Sequence, residues 1–243
     1  MSKKNRDTGR SARAAAALAE QRRQETRRRN LMIGGVVLAV LAVVVVGYFL
    51  SRSLDTTNDV SAPAAGSEFG LTIGPDDATH EVIIYEDFLC PYCGELEAAS
   101  RDDLAQLASD GKVKVEYRPI NLLVSAGDYS ARSAGAFSIV LDRSGADVAK
   151  KFHDLLFENQ PSETGPFPGN DELVKLAVEA GATESDVKDA IENDDGADWV
   201  DRATDAADEA GVRGTPTVLL DGKVLTDYQD MEDLSSNLVD QLQ

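Results

Sequence analysis

The sequence predicts an α/β domain, a small mixed sheet with helices on both faces and a helical insertion, preceded by a single N-terminal transmembrane helix. Three observations lead there. Leu31 to Leu50 is a run of twenty residues without a charge. From about residue 70 the pattern reads strand–helix–strand, then a block of helices, then a hairpin and a last helix. The chain's 2 cysteines, Cys90 and Cys93, sit three apart where the first strong strand hands over to a helix.

The N-terminal elements follow from charge. Residues 1–30 hold ten Lys/Arg against three Asp/Glu, while residues 31–243 hold fourteen against forty. So abrupt a change of sign marks a boundary. The uncharged run lies on that boundary, and at about 1.5 Å per residue a helix of its length spans about 30 Å, the hydrocarbon core of a bilayer. A buried helix is rarely apolar on every face for so long. Arg22, Arg23, Arg27, Arg28 and Arg29 precede the run and only Arg52 follows closely. Basic flanks stay inside, which predicts a cytoplasmic tail at 1–30, a signal anchor spanning the cytoplasmic membrane once and contacting lipid at 31–50, and an extracytoplasmic remainder. The run exceeds a usual signal-peptide core. The basic tail beside it suits anionic lipid and the setting of topology rather than nucleic acid. The acidic remainder speaks for solubility and names no partner.

Residues 51–67, with Ser61, Ala62, Pro63, Ala64, Ala65, Gly66 and Ser67 at their end, lack periodicity and read as a flexible linker. Residues 68–243 are enough for one domain with a substantial core. Gly70 to Gly74 reads as a short leading strand. Glu81 to Leu89 is rich in β-branched and aromatic residues and reads as a buried strand. Gly94 to Ser109 has helical composition. Lys112 to Arg118 alternates, putting Val113, Val115 and Tyr117 on one face. A helical insertion follows over about 125–211, with helices expected at Asp128–Asp142, Ala146–Glu158, Asp171–Ala180 capped by Asn170, Glu184–Asn193 capped by Thr183, and Ala197–Ala210. Thr217–Leu220 and Lys223–Thr226, joined by Asp221-Gly222, form a hairpin. Met231–Leu242 is the last helix. A right-handed strand–helix–strand unit makes parallel strands, and the hairpin adds an antiparallel one.

The cysteine placement carries chemistry. Cys90 falls at a helix N-terminus, with Pro91 at or near the first helical position, where its missing N–H costs nothing. Free backbone N–H groups and the helix dipole favour negative charge there, and the thiolate is the reactive form of a thiol. Cys93, one turn on, is placed to close a disulfide with Cys90, and the pair then exchanges with cysteines of other proteins. Cys90 attacks or is attacked; Cys93 resolves. A structural bridge is the main alternative, but so small a loop removes little entropy from the unfolded chain. A zinc site lacks ligands, since the other candidates are His80 and His153 alone. No metal and no cofactor is expected.

A second constellation precedes the hairpin. In Gly214, Thr215, Pro216 and Thr217 a proline opens a strand, where it gives no ladder hydrogen bond. An ordinary trans proline marking a turn and a cis Thr215–Pro216 bond both fit. Taken with Glu86 to Cys93, Phe152 to Gln160 and Ala206 to Val218, these residues make the chain resemble the DsbA-like branch of the thioredoxin superfamily, over roughly 70–243. The resemblance implies a thioredoxin fold whose helical insertion covers one side of the active site, and a cis-Pro216 loop facing Cys90. It also implies that the Thr215 backbone pairs with an extended substrate segment. Pro91, Tyr92, Thr215 and Pro216 then surround the redox pair. Two departures concern direction. Tyr92 stands where a histidine accompanies an unusually stable thiolate, and Ile84 stands where relatives place a buried carboxylate. Glu86 and Asp87 remain as candidate proton acceptors. His153 lies within a helical segment, where packing or exposure explains it equally well.

The function expected is that of a membrane-anchored thiol–disulfide oxidoreductase, forming disulfides in cysteine-containing secreted or membrane proteins in an oxidising compartment. A quinone-linked membrane protein would reoxidise it, and nucleic acid plays no part. A reductase or isomerase, and a tethered binding module with a static Cys90–Cys93 bridge, are the alternatives. The bridge's response to thiol buffers separates them.

Overall fold

The computed structural model describes residues 60–63 and 66–243. The tail expected at 1–30, the transmembrane segment at 31–50 and most of the linker lie outside the described residues. Among the described residues, no helix is long and apolar enough to cross a membrane.

The elements are β1 (Leu71–Ile73), β2 (His80–Glu86), α1 (Pro91–Ser109), β3 (Val113–Pro119), α2 (Tyr129–Ser144), α3 (Ala146–Glu158), α4 (Asn170–Ala180), α5 (Glu184–Glu192), α6 (Ala197–Glu209), β4 (Thr217–Leu220), β5 (Lys223–Val224) and α7 (Met231–Leu242). The sheet order is β1-β3-β2-β4-β5. The β-branched run of β2 lies at its centre, parallel to β3 with Val82 opposite Val115 and Ile84 opposite Tyr117. It is antiparallel to β4, with Ile84 opposite Val218. β1 closes the β3 edge and β5 the β4 edge, both antiparallel.

The period of two sends alternate side chains to opposite faces. Val82, Ile84, Val115, Tyr117 and Val218 join Leu96 and Leu104 of α1 and Leu234 and Leu238 of α7 in one core. Ile83, Tyr85 and Leu219 face the other way, against Ala207 of α6, Ile120 and Val212. Each fully buried leucine stabilises by about 1.5–3 kcal/mol. The insertion, α2 to α6, has its own core of Phe137, Phe152, Leu156, Leu173 and Val187, which runs on to Phe88, Leu89, Cys90 and Cys93. The cysteines thus lie where the insertion meets the sheet.

The departures from expectation are local. β2 stops at Glu86 instead of Leu89: the Asp87 side chain accepts from Leu89 N at 2.9 Å and the Cys90 amide donates to Asp87 O at 2.9 Å, turning the chain before the helix. Gly169, not Asn170, caps α4. The Asn170 side chain instead donates to Ile191 O and accepts from Arg132. Thr183 does cap α5, without a side-chain hydrogen bond. The hairpin forms with Leu220 opposite Lys223. Its two turn residues, Asp221 and Gly222, both have positive φ, at 50° and 76°, as a two-residue turn of this hand requires.

Candidate active site

Cys90 is the N-cap of α1, extended at φ −72° and ψ 117°, with Pro91 beginning the helix. Its carbonyl receives Cys93 N and Gly94 N, closing the first turn. Both cysteines are free and nearly inaccessible. The Cys90 thiol donates to the Thr215 carbonyl at 3.3 Å, and the Thr215–Pro216 bond is cis. The two constellations read from the sequence therefore meet, 125 positions apart in the chain. Tyr92 projects into solvent, 61% exposed. With Glu95, Thr215, Pro216, Tyr228 and Met231 it lines a groove of about 340 Å³ beside the thiols.

The two thiols differ sharply in acidity. A hydrogen bond from Cys93 to the Cys90 sulfur is the largest influence on Cys90. Helped by Thr215 and the amides of Cys93 and Tyr92, it prevails over burial and brings Cys90 down to about 6. Cys93 is pushed well above its ordinary value, first by burial, then by the hydrogen bond it gives Cys90 and by the negative charges of Cys90 and Glu86.

The loop carrying Cys90 is pinned from two sides. Asp87 accepts from Leu89 N, Leu122 N and Leu123 N, each at 2.9 Å, and from Ser130 Oγ at 2.6 Å. Gln160, just beyond α3, donates to Phe88 O at 3.0 Å and Cys90 O at 2.9 Å.

Behind Cys93 lies a charged cluster. Glu86 Oε1 is 2.6 Å from His153 Nε2. His153 Nδ1 is 3.1 Å from Asp154 Oδ1 and 3.6 Å from Glu97 Oε1. Lys150 pairs with Glu97 at 3.3 Å and with Asp154. Burial works against charge on His153, but the Glu86 and Glu97 carboxylates overcome it and raise its pKa to about 9. Burial also raises Glu97, against His153 and Lys150. The donor atoms of Glu86, Glu97 and His153 lie within 4.8 Å of one another, and the Lys150 ammonium supplies the balancing cation. His80, the other zinc candidate, pairs instead with Asp221 at 2.9 Å.

The structure thus separates the two acids named from the sequence. Asp87 is consumed by four donors, while Glu86 faces the cluster behind Cys93. Glu97 and Gln160 were not singled out. Glu97 had a visible signal: it lies four residues after Cys93 on the buried stripe of α1, between Leu96 and Ser100. Gln160 had none, being a polar residue just past a helix end.

The thioredoxin family pattern matches residues 67–240. Among solved structures the chain is similar to a reduced disulfide bond oxidoreductase, DsbG, from Mycobacterium tuberculosis. The TM-score is 0.62 at 29% identity, covering 73% of this chain and 88% of that one. Among curated proteins it is 22% identical over 173 residues to disulfide bond formation protein D of Bacillus subtilis, 70% of this chain and 76% of the relative. It is also 29% identical over 150 residues to the Na(+)/H(+) antiporter NhaA 3 of Salinispora tropica, 62% of this chain but 21% of the antiporter. The chain spans less than a third of the first curated relatives it matches. By its sheet order and the family match the chain belongs to the thioredoxin family, and within it the chain is similar to disulfide oxidoreductases.

Proposed function

We propose that the protein is a membrane-anchored, extracytoplasmic oxidase of protein thiols, forming disulfides in secreted or membrane proteins through Cys90 and Cys93. The observation that carries this reading is the inequality of the pair: one thiol at about 6 at the edge of a groove, the other buried and reluctant to ionise. A substrate thiolate attacks Cys90 of the closed bridge. The Cys90–Cys93 bond breaks, a Cys90–substrate disulfide forms, and Cys93 leaves as a thiolate that takes up a proton. A second substrate thiolate then attacks the substrate sulfur, and Cys90 leaves as a stable thiolate. The substrate is oxidised by two electrons and the pair is reduced.

Glu86 is the group that moves the proton of Cys93. Tyr92 and Pro216 supply apolar contact for the substrate, and the Thr215 backbone offers it strand-like hydrogen bonds. The anchor at 31–50 and its arginine flank support the membrane placement. A quinone-linked membrane protein accepts the electrons, through attack by the Cys90 thiolate on its disulfide.

The acidity of Cys90 supports the direction. Its pKa of about 6 lies between the attacking thiols of thioredoxin, about 7, and DsbA, about 3.5. A more stable thiolate makes the disulfide more oxidising. In graded glutathione buffers the full chain is expected to show a potential above about −270 mV and short of about −120 mV. A potential below thioredoxin's would make it a reductase, and a bridge that no buffer opens would make it a static module. Replacement Cys93→Ala is expected to trap substrates on Cys90 as adducts released by reductant.

A further inference from the structure

The disulfide cycle leaves one chemical need unassigned: where the proton that Glu86 moves to and from Cys93 is kept. Cys93 is buried, so each time the bridge opens a proton must reach it, and each time the bridge closes that proton must leave. The groove beside Cys90 is where a substrate sits, so a bound substrate shields that route from water.

A second opening exists. A cleft of about 700 Å³ is lined by Pro75, Arg101, Asp102, Lys150, Asp154 and Glu158. It shares no lining residue with the groove at Tyr92 and Pro216. Arg101 is eleven residues beyond Cys90, so the cleft begins about 16 Å further along α1 at 1.5 Å per residue. From it a polar path runs inward: Asp154, with a side chain 24% exposed, to His153, fully buried, to Glu86. The last step toward the thiol is short in chain terms: the Asp87 backbone hydrogen-bonds Cys93, and Glu86 precedes Asp87.

We propose that His153 is the proton donor and acceptor for Cys93, acting through Glu86, with Asp154 fixing its orientation. This rests on the redox reading above. Imidazole has two distinct nitrogens, and the partner of one sets the role of the other. Here Asp154 Oδ1 holds Nδ1–H, so the mobile proton is on Nε2, facing Glu86 at 2.6 Å. When a substrate thiolate opens the bridge, the Nε2 proton passes to the Glu86 carboxylate and from there to the Cys93 thiolate. The products are a Cys90–substrate disulfide, a Cys93 thiol and neutral His153. When the bridge closes by oxidation, Cys93 returns the proton along the same atoms while its sulfur bonds to Cys90. The two half-cycles move one proton in opposite directions, so the ring need not turn over.

The direction of transfer is favourable, because Cys93 holds a proton more tightly than His153 does. The groups facing His153 are Glu86 from β2, Glu97 from α1, Lys150 and Asp154 from α3, and Tyr117 from β3, whose ring lies 4.6 Å away. Phe88, Phe137 and Phe157 complete an apolar wall that keeps water from the ring.

The test is stopped-flow opening of the Cys90–Cys93 bridge of the full chain by reduced glutathione, followed against pH. In the wild type the rate per glutathione thiolate, corrected for the ionisation of glutathione over the same range, is expected to fall as pH rises through about 9, where His153 loses its proton. The variant H153Q is expected to open on the order of 100-fold more slowly, the loss of a general acid, and to lose that limb. The Cys90 alkylation midpoint of about 6 stays in place. An unchanged rate and profile overturn the proposal while leaving the redox function standing; a wild-type bridge that never opens overturns both. Should H153Q fail to fold, nitrogen-labelled histidine spectra of the wild type decide it. Nδ1 is expected to keep its proton while Nε2 titrates near 9, and a bare Nδ1 overturns the assignment.

Discussion

Glu86 and Asp87 are consecutive, both carboxylic acids and both buried, at 2% and 0% exposure, yet they live in opposite kinds of surroundings. Asp87 is bound by neutral groups only: three backbone amides and the Ser130 hydroxyl. Glu86 faces a protonatable ring, with a second acid and a lysine beyond it. Neutral donors hold a carboxylate in one fixed geometry and bring no proton of their own to exchange. Ionisable partners make the same group part of a system that changes its proton count. In the proposed cycle one acid is therefore scaffold and its neighbour is machinery, and the division comes from the face each one turns to.

The largest expected effect lies on the neutral side. Asp87→Ala strands three amides and a hydroxyl in a dry environment, and each unsatisfied donor costs about 1–3 kcal/mol. With partial relaxation the loss is expected to be about 4 kcal/mol in urea unfolding of the full chain. It is expected to be equal on either side of neutral pH, since none of the four partners titrates there. A loss that varies with pH would mean that Asp87 belongs to the charged cluster after all.

The charged side gives a pH-dependent counterpart. His153 rises from an ordinary 6.5 to about 9 on folding. A raised folded value means that its contribution is complete below about 6.5 and is lost as pH rises through about 9. A shift of that size corresponds to about 3 kcal/mol. Unfolding of the disulfide-closed protein isolates it, because Cys90 does not titrate in that state. Stability is expected to decline across this window in the wild type and to lose the slope in H153Q.

The same pair of acids shows what was legible in advance. Residue types and order were enough for the strand–helix junction, the cysteine pair, the Asp221-Gly222 turn and the block of helices, because each rests on local rules of period, capping and turn chemistry. The resemblance carried the approach of Thr215 to Cys90, a contact between residues far apart in sequence. Glu86 and Asp87 were both named, but choosing between them needed the position where β2 ends. That point is set by Asp87 turning back on Leu89 and by a loop more than thirty residues away. Glu97 reads as a polar interruption of an apolar stripe until Lys150 and His153 arrive opposite it from α3.

Gln160 extends the neutral side to the cysteine loop, and here a sign reversal is expected. A Cβ on Gly94 would lie 2.5 Å from Gln160 Oε1. Gly94 is in the first turns of α1, where alanine is a better helix former by about 1 kcal/mol. In the wild type Gly94→Ala displaces the Gln160 amide from the Phe88 and Cys90 carbonyls, two bonds worth about 0.5–1.5 kcal/mol each. The substitution is therefore expected to destabilise by up to about 2 kcal/mol. In a Gln160→Ala background the obstruction is gone and the bonds are already lost, so Gly94→Ala is expected to stabilise by about 0.5–1 kcal/mol. The four-way comparison is a double-mutant cycle with strong coupling. Additive effects would show that Gln160 does not hold the Cys90 loop, and the neutral clamp would then rest on Asp87 alone.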